Sequence, residues 1–174
     1  MKFLLLAGKS GSGKSTVADI LSLKYGYKSI NSYTTRPKRS EIEMGHIFID
    51  DKDFEKIRPE DMVAYTKFNG NRYCATKQQV EDSDIYIIDK AGIKFFNKKY
   101  DGDKEVVTIY LDAPERTCIR RMIARGDNIN AALERAEHDA EAFLGIEALC
   151  DVIIQAENTS AEKIADFIAL FLKD

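Results

Sequence analysis

A chain of 174 residues is long enough for one domain, residues 1–174, to bury a core without disulfide or metal staples. Its 26 Lys and Arg against 29 Asp and Glu leave a formal charge of −3 spread over both signs, which excludes nucleic acid or a membrane surface as the main partner. Cys74, Cys118 and Cys150 are scattered and in no CxxC spacing, which argues against a disulfide framework and a zinc site and for a reducing, cytoplasmic compartment.

The first predicted element is the apolar run Lys2 to Ala7, too short for a signal-peptide core or a spanning helix and read as a strand. It feeds Gly8-Lys9-Ser10-Gly11-Ser12-Gly13-Lys14-Ser15, and Thr16 to Leu21 continue as a helix. Strand, loop and helix thus agree around a phosphate-binding loop. Its glycines permit the tight turn that points backbone N–H groups at a phosphate, Lys14 reaches the β- and γ-phosphates, and the Ser15 hydroxyl ligates Mg²⁺. ATP and Mg²⁺ are the expected ligands, held by Gly8, Ser10, Gly11, Ser12, Gly13, Lys14, Ser15 and Thr16.

Further strand candidates follow at Tyr27–Ile30, Ile85–Ile88, Val106–Leu111 and Val152–Ile154, alternating with helical stretches. Ile129, Leu133, Ala136, Ala140 and Phe143 form one core-facing stripe, and Ile164, Ile168, Phe171 and Leu172 another. Apolar strands alternating with helices predict a parallel sheet covered on both faces, with ligands beyond the carboxyl ends of its strands. Residues from about 31 to 84 break this rhythm. They hold a polar Thr/Arg/Pro segment, a short helix over Asp51–Ile57, and β-prone runs Met62–Phe68 and Asn71–Ala75 joined at Asn69-Gly70, a hairpin signal. This reads as an inserted subdomain where a second substrate sits.

Arg36 and Arg39 stand three apart in the polar segment and can both grip an acceptor phosphate, with Tyr73 adding a hydroxyl. Asp89 ends the run Ile85–Ile88, where a carboxylate can hold a metal-bound water or accept from a base. Asp112 precedes Ala113-Pro114 and reads as a helix N-cap. Arg121 and Arg125 lie one helical turn apart before the break at Gly126-Asp127-Asn128. For Arg121, a function and a surface salt bridge to Glu134 or Glu137 are equally open.

Taken together, the phosphate loop, Ser32-Tyr33-Thr34-Thr35-Arg36-Pro37-Lys38-Arg39, Gly45-His46-Ile47-Phe48, Gly70-Asn71-Arg72-Tyr73, Ile87-Ile88-Asp89-Lys90-Ala91-Gly92 and Arg121–Gly126 with Arg135 resemble guanylate kinase, of the nucleoside monophosphate kinase group. The segments occur in that family's order and cover most of the chain. The resemblance implies a five-stranded parallel core with helices on both faces, a monophosphate-binding insertion over about 31–84, and a short lid over about 122–136. It also implies that Ser32, Arg36, Arg39, Tyr73 and Asp89 bind the acceptor, and that Arg125 and Arg135 act with Lys14 on the transferring phosphoryl group.

Three departures cluster on one pocket wall. Ala64 stands where the family has a base-reading glutamate, Ala75 replaces its Ser or Thr, and Cys74 replaces a glycine. His46 replaces a phosphate-binding tyrosine and either donates to phosphate or caps a turn. The stretch from Arg125 to Arg135 is one residue shorter than in the family. The reading is therefore ATP-dependent phosphoryl transfer to a nucleoside or deoxynucleoside monophosphate of open base specificity. Alternatives are a sugar phosphate kinase resembling ribose 1,5-bisphosphate phosphokinase and a non-catalytic guanylate-kinase-like protein-binding module. Monomer is the default state.

Overall fold

The computed structural model describes residues 2–38, 41–68 and 70–173. Strand β1 (Lys2–Gly8) lies between β6 (Ile85–Ile87) and β7 (Glu105–Asp112), with β8 (Val152–Gln155) beyond β7, and every pairing in this sheet is parallel. Its central position explains why β1 is apolar without alternation. Leu4 and Leu6 face Val17 and Leu21 of α1 (Lys14–Tyr25) and Ile164 and Ile168 of α7 (Ala161–Lys173). Phe3, Leu5 and Ala7 face the opposite layer, with Ile93 and Phe96 of α4 (Lys90–Lys99) and Phe143 just past α6 (Ile129–Ala142). A strand with two apolar faces needs a helix layer on each.

The expected fifth strand is reduced to one parallel bridge, Ser29 to Ile85, flanked by Ile30 N–H to Ile85 O at 2.7 Å and Ile85 N–H to Lys28 O at 3.0 Å. The chain then leaves for a second sheet, ordered β3-β2-β5-β4, from β2 (Ser32–Thr34), β3 (His46–Phe48), β4 (Met62–Phe68) and β5 (Asn71–Thr76). Strands β4 and β5 form the predicted hairpin, and Gly70 takes the left-handed φ of 77° at its turn. Asn69 lies outside the described residues. Two short helices flank this sheet, α2 (Asp51–Glu55), capped by Asp50, and α3 (Lys77–Glu81), closed by a capping box of Thr76 and Gln79.

Two expectations need correction. Helix α5 (Glu115–Ala124) has Pro114 at its N-cap with no side-chain cap, because Asp112 is still paired with Gln155 in the sheet and its Oδ2 accepts from Gln155 Nε2 at 3.1 Å. On α6 the buried face is Ala132, Ala136 and Asp139, whereas Ile129 and Leu133 are 58 % and 49 % exposed. The small residues let α6 approach Met122 of α5 closely, which turns the stripe away from the predicted line. Among the described residues no helix is long and apolar enough to cross a membrane.

Candidate functional site

The loop between β1 and α1 lies at the carboxyl edge of the sheet. Gly11 has φ 78°, and a Cβ there would overlap the Cys118 carbonyl of α5, so backbone conformation and space both require glycine. Gly13 caps α1 at φ 103° with nothing near its missing side chain, leaving the first turn open to a ligand. Lys14 Nζ turns inward and donates to Lys9 O at 2.9 Å. Loss of water around the ammonium pushes its pKa down to about 8, against the opposing pull of the Asp139 charge. The Ser12 hydroxyl is buried beneath Gly8 without a hydrogen-bond partner among the described residues, while its backbone N–H donates to Lys9 O at 3.0 Å and closes the turn of the loop.

Above the loop opens a cavity of about 900 Å³, lined by residues 10–17, Arg121, Arg125, Asp127 and Arg135, and by Ala156, Thr159, Ser160 and Ala161 after β8. Its donor set is cationic side chains and backbone N–H groups at a helix N-terminus, which is what a polyphosphate requires. Among the described residues no three His, Cys, Asp or Glu gather to cage a cation. The exposed Ser15 hydroxyl in the first turn of α1 fits a Mg²⁺ whose remaining ligands are phosphate oxygens and water.

The arginines divide into two kinds. Arg125, the C-cap of α5, donates to Asp127 through Nε at 3.1 Å and Nη2 at 2.7 Å, and Arg135 Nη1 stands 3.5 Å from the same carboxylate. Asp127 thus gathers both predicted lid arginines at the cavity. Arg121 pairs with neither Glu134 nor Glu137. It donates to the carbonyls of Ser12 at 3.1 Å and Ala156 at 2.7 Å, fastening the phosphate loop to the segment after β8. Sequence reading missed Asp127, although an acid two residues past an arginine is a visible signal. It also missed Asp139, whose Oδ2 accepts from the Ser10 N–H at 2.6 Å. Four residues after Arg135, Asp139 has the spacing of an ordinary helix-surface pair, so nothing in the sequence marked it.

A second cavity of about 220 Å³ lies between the two sheets, lined by Ser32, His46, Ala64, Tyr65, Thr66, Tyr73, Tyr86 and Asp89 among others. Ser32 Oγ and His46 Nδ1 are 2.9 Å apart, and the His46 ring meets Tyr73 edge-on at 5.7 Å. His46 belongs to β3, and it lines this cavity. Arg36 is turned toward Glu43, with Nη2 to Oε1 at 2.6 Å and Nη1 to Oε2 at 3.3 Å, while its guanidinium lies 5.3 Å from the centre of the Phe48 ring. That carboxylate raises the guanidinium's pKa further. Arg39 lies outside the described residues. Asp89 caps α4, its Oδ1 accepting from Gly92 N–H at 2.6 Å, and also lines the cavity. Of the three departures expected on one pocket wall, only Ala64 lines the cavity, where it presents a methyl group; its hairpin partner Ala75 and the neighbouring Cys74 are fully buried behind the wall.

The two cavities open beyond the carboxyl ends of neighbouring parallel strands, since β1 and β6 pair Leu6 with Ile87. The fold is similar to that of guanylate kinase from Anaplasma phagocytophilum, at TM-score 0.72 and 24 % identity over 99 % of this chain and 84 % of that one. An uncharacterized protein from Eubacterium ventriosum ATCC 27560 is similar at TM-score 0.59 and 13 % identity, over 99 % and 98 %. No curated protein sequence matches. A family model described as AAA domain matches residues 4–143, which include the whole phosphate loop, Arg125 and Arg135. The chain therefore belongs to the AAA domain family and carries its phosphate loop on a guanylate-kinase-like fold.

Proposed function

We propose that the protein transfers the terminal phosphoryl group of ATP to a nucleoside or deoxynucleoside monophosphate. The observation that carries this reading is the pair of cavities at the ends of adjacent strands, one rich in phosphate-binding donors and the other smaller and more apolar. Two anions brought together there need alignment and charge neutralisation rather than a protein nucleophile.

In this reading the backbone N–H groups of residues 8–16 and Lys14 hold the donor phosphates. Mg²⁺, carried on Ser15, would neutralise charge on the transferring oxygens. Residues 31–84 form the acceptor subdomain, in which Ser32, Tyr73, Asp89 and Arg36 bind the monophosphate, its phosphate competing with Glu43 for Arg36. Arg39 belongs to the same proposal by its sequence position. Residues 122–136 act as the lid, bringing Arg125 and Arg135 to the phosphoryl group. The acceptor phosphate is already ionised at neutral pH, so no general base is required.

A second reading, a sugar phosphate acceptor, is favoured by Ala64 in the cavity wall, whose methyl group offers nothing polar to read a base edge. ADP release from ATP·Mg²⁺ against a panel of nucleoside and deoxynucleoside monophosphates and ribose 1,5-bisphosphate separates the two. Turnover with a nucleotide, lost in Lys14→Ala, is the expected result. Turnover with the sugar bisphosphate alone selects the second reading, and no turnover with any acceptor overturns both and leaves a binding module.

A further inference from the structure

The reaction outlined above leaves Asp139 unused. It projects from the buried face of α6, four residues beyond Arg135, and is 8 % exposed. Its Oδ2 accepts from the Ser10 N–H at 2.6 Å, a short charge-assisted bond, while Oδ1 stands 3.5 Å from His138 Nδ1. Its charge reaches Lys14 as well. A carboxylate buried against an N–H of a phosphate loop takes the kind of position such loops keep for phosphate oxygens. Asp139 does not itself line the cavity above the loop, but its partner Ser10 does, and on that cavity's wall Asp127 lies between Arg125 and Arg135 as a phosphoryl oxygen would.

We propose that Asp139 is an internal competitor for the nucleotide's phosphates, docking α6 on the phosphate loop through the Ser10 N–H until ATP displaces it. The inference rests on ATP being the loop's ligand. Two anions beside one N–H and one lysine repel each other strongly where water is scarce. Entry of the polyphosphate turns the Asp139 side chain away and releases α6, which carries Arg135 to the phosphoryl group. Asp139 is thus a positioning residue that couples loop occupancy to the lid.

The test uses the full chain, wild type and Asp139→Asn, titrated calorimetrically with magnesium ATP and magnesium ADP, with hydrogen exchange followed along Ile129–Ala142. Asparagine keeps the shape and an acceptor oxygen but removes the charge. Magnesium ATP should bind Asp139→Asn about tenfold more tightly than wild type, with a smaller gain for ADP. Amides of α6 should exchange faster in the variant, and faster in wild type once ATP is added. Unchanged or weaker ATP binding overturns the proposal, including when a lowered unfolding midpoint accompanies it. Should the variant fail to fold, wild-type exchange decides alone, and α6 amides no faster with ATP than without it overturn the proposal. Wild-type protein that binds no nucleotide overturns the kinase reading itself, and the inference falls with it.

Discussion

Lys14 is a cation held where water is scarce, and that gives it a signature in stability. Its pKa is lowered from 10.5 to about 8, so between those values the unfolded chain binds a proton that the folded chain has released. Stability of the nucleotide-free protein therefore rises with pH across this window, and below it the buried charge opposes folding. Lys14→Met should raise the unfolding midpoint by a few degrees at pH 7, lose that advantage toward pH 10.5, and abolish phosphoryl transfer. Calorimetry at both pH values checks the first part, and a lower midpoint at pH 7 would contradict it. Arg36 makes the opposite case, because its charge is fully paired with Glu43. Arg36→Ala should raise the acceptor KM about 10- to 100-fold with little change in the KM for ATP, the usual worth of charge-assisted bonds. Steady-state kinetics with each substrate varied in turn would expose a shift in both KM values, which would deny Arg36 a role confined to the acceptor.

Asp89 carries two roles at the level of the helix. It caps α4, and it lines the second cavity, where we propose the acceptor binds. Loss of such a cap costs about 1 kcal/mol, whereas asparagine caps as well as aspartate. Asp89→Ala should therefore lower the unfolding midpoint and raise the acceptor KM, while Asp89→Asn should raise KM alone. Equal midpoints for the two variants would remove the capping account. Helix α5 serves as a strut, with Arg121 binding carbonyls on both the phosphate loop and the segment after β8. Arg121→Leu should weaken ATP binding severalfold and leave the acceptor KM unmoved, as measured by the same kinetics. Legibility differed between helices for a physical reason. The face of α7 that holds Ile164 and Ile168 was visible because it packs on a sheet, where large side chains fill the gap. On α6 the partner is another helix at close approach, so alanines are buried and Leu133 is left outside.

For the molecule as a whole, the parallel sheet fixes one cavity and the second sheet provides the other. A bisubstrate analogue joining adenosine to the acceptor through a polyphosphate bridge should engage both at once and lower the radius of gyration in solution scattering. An unchanged radius would argue against closure of residues 31–84 and 122–136 over the reactants. The sequence alone determined the phosphate loop, its strand and helix, the hairpin and the alternation that makes the sheet parallel. Each of these is encoded in contiguous residues whose spacing and backbone preferences act locally. The fifth strand was overestimated because Tyr27–Ile30 has strand composition, whereas only one bridge forms before the chain turns to the second sheet. Only the tertiary structure decided which charges neutralise which. Ser10 meets Asp139 across 129 residues and Ser12 meets Arg121 across 109, and sequence carries no measure of such distances. Charge pairing depends on where the folded chain brings side chains together, so the partners of Arg36, Arg121, Arg125 and Arg135 emerged from packing rather than from motif.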